Sequence, residues 1–299
     1  MVPLQQNLSV LKNSPFLKKL QRVALDVEQV LETLLPAPTT RLHEAMRYSV
    51  LGGGKRLRSF LVCESSHLFG VPSSQSLKVA AAIELIQAYS LVHDDLPCMD
   101  NGDMRRGKPS CHKAFGEATA TLVGDALIPL AFQVLSRLEA PAEVRLKLID
   151  KLSETIGSQG LVAGQMMDLG QEEPRLTLED LSEQEYLKTG IFFGFSAEIG
   201  AILGNASADE QRALRSYGLL LGEAFQMMDD YLDGHGTLEI LGKPCGQDGT
   251  KLTFLSLLGP DKLYQQVDSV LHQASEELAV FGDKAALLKE VAHFIHARK

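Results

Sequence analysis

Cysteine is scarce in this 299-residue chain: Cys63, Cys98, Cys111 and Cys245 are the whole complement, with no CxxC pair and no zinc-like spacing. Neither a disulfide framework nor a metal knuckle can be read from them, and a reducing cytoplasm is the expected compartment. An excess of basic residues is lacking too. The net charge of −9 argues against nucleic acid as a partner, because that needs a basic footprint. No apolar stretch is expected to reach the roughly 20 residues that cross a bilayer. The opening MVPLQQNLSVLKNSPFLKKL has no basic start followed by an apolar run, so neither a leader nor membrane insertion is expected. Period-two alternation and Val-Ile-Thr-rich segments bounded by turns are missing, which excludes a β fold. No solenoid period or low-complexity linker appears. What remains is 45% hydrophobic and 22% charged, an ordinary globular composition. The expectation is an all-α protein of about ten or more helices in one domain, residues 1–299.

Helix signals are plentiful. Ser14-Pro15 is a capping serine followed by a proline where no amide hydrogen is needed, and Leu20, Val23, Val27, Val30, Leu31 and Leu34 then recur at helical spacing until Pro36. Further helices are expected from Thr40 to the Gly52-Gly53-Gly54 turn, from Phe60 to Gly70 and from Gln75 to Leu96. A helical pattern resumes from His112 to Leu138, with Gly124 and Pro129 marking a break or kink. Thr177 with Asp180 and Ser207 with Glu210 match helix starts, and the second opens a long helix. Residues 97–110, PCMDNGDMRRGKPS, read as a functional loop.

Two stretches stand out. IELIQAYSLVHDDLPCMD, residues 83–100, is an apolar helical run ending in Asp94, Asp95 and, after Pro97, Asp100. EAFQMMDDYLD, residues 223–233, repeats the design with Asp229, Asp230 and Asp233. Crowded carboxylates at a helix end cost stability unless a cation or solvent neutralises them. Oxygen donors without a His or Cys cluster favour Mg²⁺, which keeps some waters and takes substrate phosphate oxygens into its octahedral shell. The duplicated design therefore points to a phosphate ester. Basic residues fit that reading: Lys55, Arg56 and Arg58 follow the glycine turn of GGGKRLR, and Arg105-Arg106 lies just beyond the first aspartates.

Taken together, GGGKRLR, DDLPCMD, RRGKP, GQMMDLG, KTG, FQMMDDYLD and LGK, in that order, closely resemble the trans-type polyprenyl diphosphate synthases, in particular the bacterial farnesyl diphosphate synthases. The likeness covers roughly residue 40 to the end. It implies a large helical bundle with a central active-site cavity. It also implies two or three Mg²⁺ ions held by Asp94, Asp95, Asp100, Asp229, Asp230 and Asp233, bridging the diphosphate of an allylic substrate. Lys188, Thr189 and Gln226 match residues that contact that diphosphate or the developing cation, joined by Arg105 and Lys251. Gly54, Lys55, Arg58, Gln87 and Arg106 match the isopentenyl diphosphate site. Leu85, Ile86, Leu91, Phe192, Phe193 and Phe225 are candidates for the wall of the prenyl-tail pocket, and a homodimer is implied.

Tyr89 and Ser90 lie five and four positions before Asp94, about a helical turn below the carboxylates at 1.5 Å per residue. Spacing alone leaves open which of them blocks a growing tail; in the family, an aromatic there goes with a fifteen-carbon product. Departures from the family pattern are Ser59, where a proline is usual, Gln87, where many members have histidine, and a short segment between Asp248 and Lys251. A ten- or twenty-carbon product, a terpene cyclase and a silent regulatory subunit are the alternatives. The basic GGGKRLR segment and the intact DDYLD motif weigh against the cyclase, and both intact aspartate clusters weigh against the silent subunit.

Overall fold

The computed structural model describes residues 14–170, 177–235 and 252–297. From Ser14 onward the chain is helical: α1 (Pro15–Leu34), α2 (Arg41–Val50), α3 (Leu57–Leu68), α4 (Ser73–Asp94), α5 (Cys111–Phe115), α6 (Glu117–Ser136), α7 (Ala142–Ile156) and α8 (Leu161–Leu169). α9 (Leu178–Glu185) passes through a π turn, Tyr186–Gly190, into α10 (Ile191–Leu203). There follow α11 (Ala208–His235), α12 (Phe254–Leu258), α13 (Pro260–Glu277), a 3₁₀ segment (Leu278–Ala285) and α14 (Ala286–His296). The all-α expectation holds. Among the described residues the only strand pair is a hairpin, β1 (Met104–Arg105) against β2 (Lys108–Pro109), inside the stretch read as a loop. Its two turn residues, Arg106 and Gly107, both have positive φ (53° and 75°), as tight antiparallel turns that match strand twist require.

Capping signals act as the sequence implies. Ser14 Oγ accepts from the Leu17 amide at 3.1 Å, and Thr177 with Asp180 forms a reciprocal capping box. The Glu210 carboxylate likewise accepts from the Ser207 amide at 2.9 Å. Each such cap is worth about 1 kcal/mol. Of the expected break or kink at Gly124 and Pro129, the break is absent, because α6 runs through both with Pro129 inside it. The chain breaks instead at Gly116, where φ is +85°. Gly124 serves packing: a Cβ there would lie 2.0 Å from His93 Nε2, so the small residue makes room for an imidazole from α4.

α10 is apolar on nearly every side, Glu198 with its Lys151 and Arg215 partners being its one charge, and every residue from Ile191 to Ile202 is buried, which marks it as the core helix. It packs between α3 and α11; α3 in turn packs on α4, α4 on α6, and α11 on α13. The expectation that no stretch could cross a membrane needs correction. By length and composition alone Glu117–Ser136 and Leu178–Leu203 could do so. For Leu178–Leu203 the composition is that of a core helix, with 78% of its apolar window covered by other parts of the chain. The packing leaves the C-terminal ends of α4 and α11, which carry the two aspartate clusters, facing one cavity.

Candidate active site

That cavity, of about 500 Å³, is lined by Asp94, Asp95 and Asp100 from the first cluster and by Asp229 and Asp230 from the second. Arg105, Asp168, Glu185, Lys188 and Gln226 complete its polar wall. An adjoining pocket of about 530 Å³ is lined by Tyr89, Ser90, Leu91, Leu161, Met166, Phe225 and, at one end, Arg58 and Gln87. Asp94, Met99, Lys188, Gln226 and Asp229 border both spaces, so an acidic chamber opens onto an apolar one across a shared rim.

The rim is held by α8 and the π turn. Gly164 lets the two backbones approach so closely that a Cβ on it would stand 2.3 Å from the Lys188 amide nitrogen. The turn's widened geometry presents Lys188 and Thr189 together, as π turns at functional sites often do. Lys188 Nζ donates to Asp168 Oδ2 at 2.8 Å and stands 4.0 Å from Asp94 Oδ1. Burial pulls the lysine pKa down, but Asp94, Asp168 and Glu185 outweigh it and raise it, so the ammonium stays charged. Asp94 also accepts from Gln165 Nε2 at 2.7 Å, and burial raises its pKa against the pull of Lys188. Burial pushes Glu185 up to about 7.

The paired aspartates divide their work. Asp95 is buried and takes three hydrogen bonds from Arg105, at 2.6 to 3.2 Å, so the arginine expected at a diphosphate is tied to a carboxylate here. Burial would lower the Arg105 pKa; Asp95, with Asp94 and Asp100, raises it overall. Asp230 accepts from the Phe254 amide at 2.8 Å and from Gln226 Nε2 at 3.1 Å, which fastens the start of α12 to α11. Asp94, Asp100 and Asp229 line the chamber as oxygen donors, whereas Asp233, one turn on, is outside its lining.

Among the described residues no three Asp, Glu, His or Cys side chains stand close enough to hold a metal ion by themselves. The donor set is all carboxylate. It suits a hard cation that draws further oxygens from water and a phosphate ester, and it does not suit a thiolate- or imidazole-bound metal.

The basic residues separate in the same way. Arg58 reaches the end of the apolar pocket with its guanidinium 4.2 Å from the Phe193 ring centroid and 5.1 Å from that of Phe192. Its Nε is sealed from solvent with no acceptor among the described residues, and burial lowers its pKa to about 10 against the opposing charges of Glu84 and Asp229. Phe192 and Phe193, with Leu85 and Ile86, are therefore core rather than tail-pocket wall; Leu91 and Phe225 are wall. Arg56 joins neither the exposed Lys55 nor Arg58 at the pocket. Its left-handed backbone (φ 50°) turns the side chain inward onto Glu84 and Glu28. Arg106 packs over Gly54, but Lys55, Gly54 and Arg106 line neither space. Tyr89 is buried and stacks edge-on against His93, whose Nε2 lies 3.0 Å from the Thr121 carbonyl, a structural role for that histidine. The glycine-rich stretch after residue 235, Cys245 and Lys251 lie outside the described residues.

Sequence reasoning passed over Asp168, Gln165 and Glu185. A signal for Asp168 was present, since it is the one charge in GQMMDLG.

The polyprenyl synthetase family pattern matches residues 39–285. The chain belongs to that family. It is 40% identical over 263 residues to the farnesyl diphosphate synthase of Geobacillus stearothermophilus, covering 86% of this chain and 89% of that one. It is 39% identical over 285 residues to the chloroplastic heterodimeric geranylgeranyl pyrophosphate synthase large subunit 1 of Arabidopsis thaliana, covering 91% and 76%. Among solved structures, the geranyltransferase of Helicobacter pylori complexed with magnesium and isoprenyl diphosphate has a TM-score of 0.83 at 30% identity, covering 95% of this chain and 97% of that one. This polyprenyl synthase is thus a trans-prenyltransferase whose relatives make products of both fifteen and twenty carbons.

Proposed function

We propose that the chain acts as one domain, in the cytoplasm and as a homodimer, to condense isopentenyl diphosphate with dimethylallyl or geranyl diphosphate into farnesyl diphosphate. The observation that carries this reading is the shared rim, where an acidic chamber fit for a diphosphate opens onto an apolar pocket fit for its prenyl tail.

Asp94 and Asp100, with Asp229 on the opposite wall and Asp233 one turn beyond it, would hold Mg²⁺, which supplies Lewis-acid stabilisation of a departing diphosphate. Asp95 and Asp230 keep the flanking segments in place rather than serve as open ligands. Lys188 presents a fixed positive charge at the rim, joined there by Gln226 and Thr189. The allylic carbon–oxygen bond breaks beside them, the isopentenyl double bond attacks the cation, and a proton is lost. Leu91, Leu161 and Phe225 keep water from that cation. Arg58 and Gln87, with Lys55 and Arg106, would bind the isopentenyl diphosphate, and Lys251 would join Arg105 at the allylic one.

Tyr89 supports the fifteen-carbon product, since its buried ring stands below Asp94 in the tail pocket with Ser90 beside it. One observation favours a longer product: the outer wall of that pocket is α8, where Val162 and Met166 are 48% and 68% exposed and offer little resistance to a longer tail. The free thiols Cys63, Cys98 and Cys111 fit a reducing compartment.

The test is to incubate the purified protein with Mg²⁺, isopentenyl diphosphate and each allylic diphosphate in turn, then measure product carbon number. Asp94→Ala or Asp229→Ala is expected to reduce turnover by at least two orders of magnitude with the circular dichroism spectrum unchanged. Retained activity in either variant defeats the site assignment, and a twenty-carbon product defeats the chain length alone.

A further inference from the structure

The glycine turn that precedes Lys55 and Arg58 is exposed, and its middle residue is open on the side a Cβ would take. Gly52, Gly53 and Gly54 all have positive φ (89°, 116° and 115°), and a Cβ at Gly53 would meet nothing within 4 Å. Three such residues in a row are the most permissive backbone a chain can offer, so something must hold both ends if Lys55 is to be presented in one place.

The holding group comes from α1, which precedes the residues matched by the family pattern. Glu28 Oε1 accepts from the Gly52 amide at 2.7 Å, and Glu28 Oε2 accepts from Arg56 Nη2 at 2.9 Å, so one carboxylate spans the entry and the exit of the turn. The exit is secured further. Arg56 Nη1 donates to Glu84 Oε2 at 2.6 Å, Arg56 Nη2 to the Val50 carbonyl at 2.9 Å, and Ser59 Oγ to Glu84 Oε1 at 2.5 Å. Arg56 and Glu84 are buried, where charge-assisted bonds are strong and an unmatched partner is costly. Arg58, which reaches the apolar pocket, follows two residues later on the same first turn of α3.

We propose that Glu28 is a positioning residue for the isopentenyl diphosphate site, fixing the turn from which Lys55 and Arg58 act. The inference rests on the assignment of those two side chains to that substrate. Ser59, where the sequence departs from the family's usual proline, is part of the device: its hydroxyl satisfies the second oxygen of Glu84, leaving the first to Arg56.

The experiment measures kcat and the KM for isopentenyl diphosphate and for geranyl diphosphate, with thermal midpoints, in Glu28→Ala, Glu28→Asp, Glu28→Gln and Arg58→Ala. Glu28→Ala is expected to raise the KM for isopentenyl diphosphate about 10-fold, the scale of one lost charge-assisted bond, with the other two constants within twofold. Glu28→Asp draws the carboxylate back by a methylene, so that it cannot span both partners, and moves the same KM in the same direction even if the alanine variant folds poorly. Glu28→Gln keeps an oxygen for the Gly52 amide and recovers most of the affinity, a rescue that a merely stabilising contact would not give. A fall in thermal midpoint with both KM values unchanged, or raised together, overturns the proposal. An unchanged KM for isopentenyl diphosphate in Arg58→Ala overturns the substrate assignment and the proposal with it. A raised value in Arg58→Ala beside unchanged Glu28 variants overturns the role of Glu28 alone.

Discussion

Replacing Gly164 by alanine tests whether the place of the π turn matters to turnover. The new Cβ would stand 2.3 Å from the Lys188 amide nitrogen and 2.7 Å from its Cα. Carbon atoms pack at about 3.5–4.0 Å, so α8 and the turn must part by roughly 1 Å. Neither neighbour can yield cheaply, because both are backbone. Overpacking of this kind costs about 1–3 kcal/mol, which exceeds the roughly 1 kcal/mol that alanine returns as a helix former. In a chain of this size the net loss lowers the thermal midpoint by a few degrees, on the order of 2–4 °C per kcal/mol, and leaves the protein folded at 25 °C. The rate should suffer far more: a catalytic group misplaced by about 1 Å costs on the order of 10²-fold. The assay is kcat at saturating substrates beside a thermal melt, with Gly170→Ala as control. At Gly170 the added Cβ meets only the Met167 and Met166 carbonyls at ordinary distances of 3.5 and 3.6 Å. A Gly164→Ala enzyme with a lowered midpoint and kcat within twofold of wild type would refute the reasoning.

Tyr89→Ala is expected to release products longer than fifteen carbons, since an added five-carbon unit buried in the opened pocket gains about 4 kcal/mol at about 0.8 kcal/mol per carbon; chromatography of dephosphorylated products decides, and an unchanged length refutes it. Asp230→Ala removes the acceptor of the Phe254 amide, so hydrogen exchange at that amide should accelerate on the order of 10-fold or more, and undiminished protection would show that α12 is held by other means. Cys98 is exposed, whereas burial pushes the Cys63 thiol up to about 12, so at pH 8 roughly one Cys63 in 10⁴ is thiolate. Maleimide should therefore label Cys98 within minutes and react far more slowly with the half-buried Cys63 in the folded protein, as peptide mass mapping would read; rapid labelling of Cys63 would contradict its raised pKa.

Much of this was legible in the sequence because it depends on local rules. The caps at Ser14, Thr177 and Ser207, the apolar periodicity of α1 and the carboxylates that close α4 and α11 each follow from residue type and spacing. The failures occur where a distant group decides. Gly124 looks like a helix breaker until His93 is found occupying its Cβ position. Spacing likewise does not show that Arg105 and the Phe254 amide, brought in by loops, engage Asp95 and Asp230 while both still line the chamber. Glu84 offered a readable signal in retrospect: it is the single charge in the run VAAAIELIQAYSLV, and a lone carboxylate in an apolar helix needs a buried partner.

That partner shows why the basic segment could not be resolved by composition. In KRLR the two arginines are chemically identical, yet Arg56 is buried on Glu84 while Arg58 faces the pocket, and what separates them is one left-handed residue. A non-glycine residue in that conformation costs about 1–2 kcal/mol, an amount that a single charge-assisted hydrogen bond offsets; Arg56 makes two, to Glu28 and Glu84. Among the described residues, three of the four non-glycine residues with positive φ, Arg56, Asn101 and Arg106, lie in the basic segment and in the loop after the first aspartates. Local strain concentrated there, beside a π turn, is the expected signature of backbone held to a geometry that ligand binding requires and that secondary structure alone would not adopt. Glu28 and Glu84 hold the first of these segments through Arg56, and Asp168 holds Lys188 on the π turn.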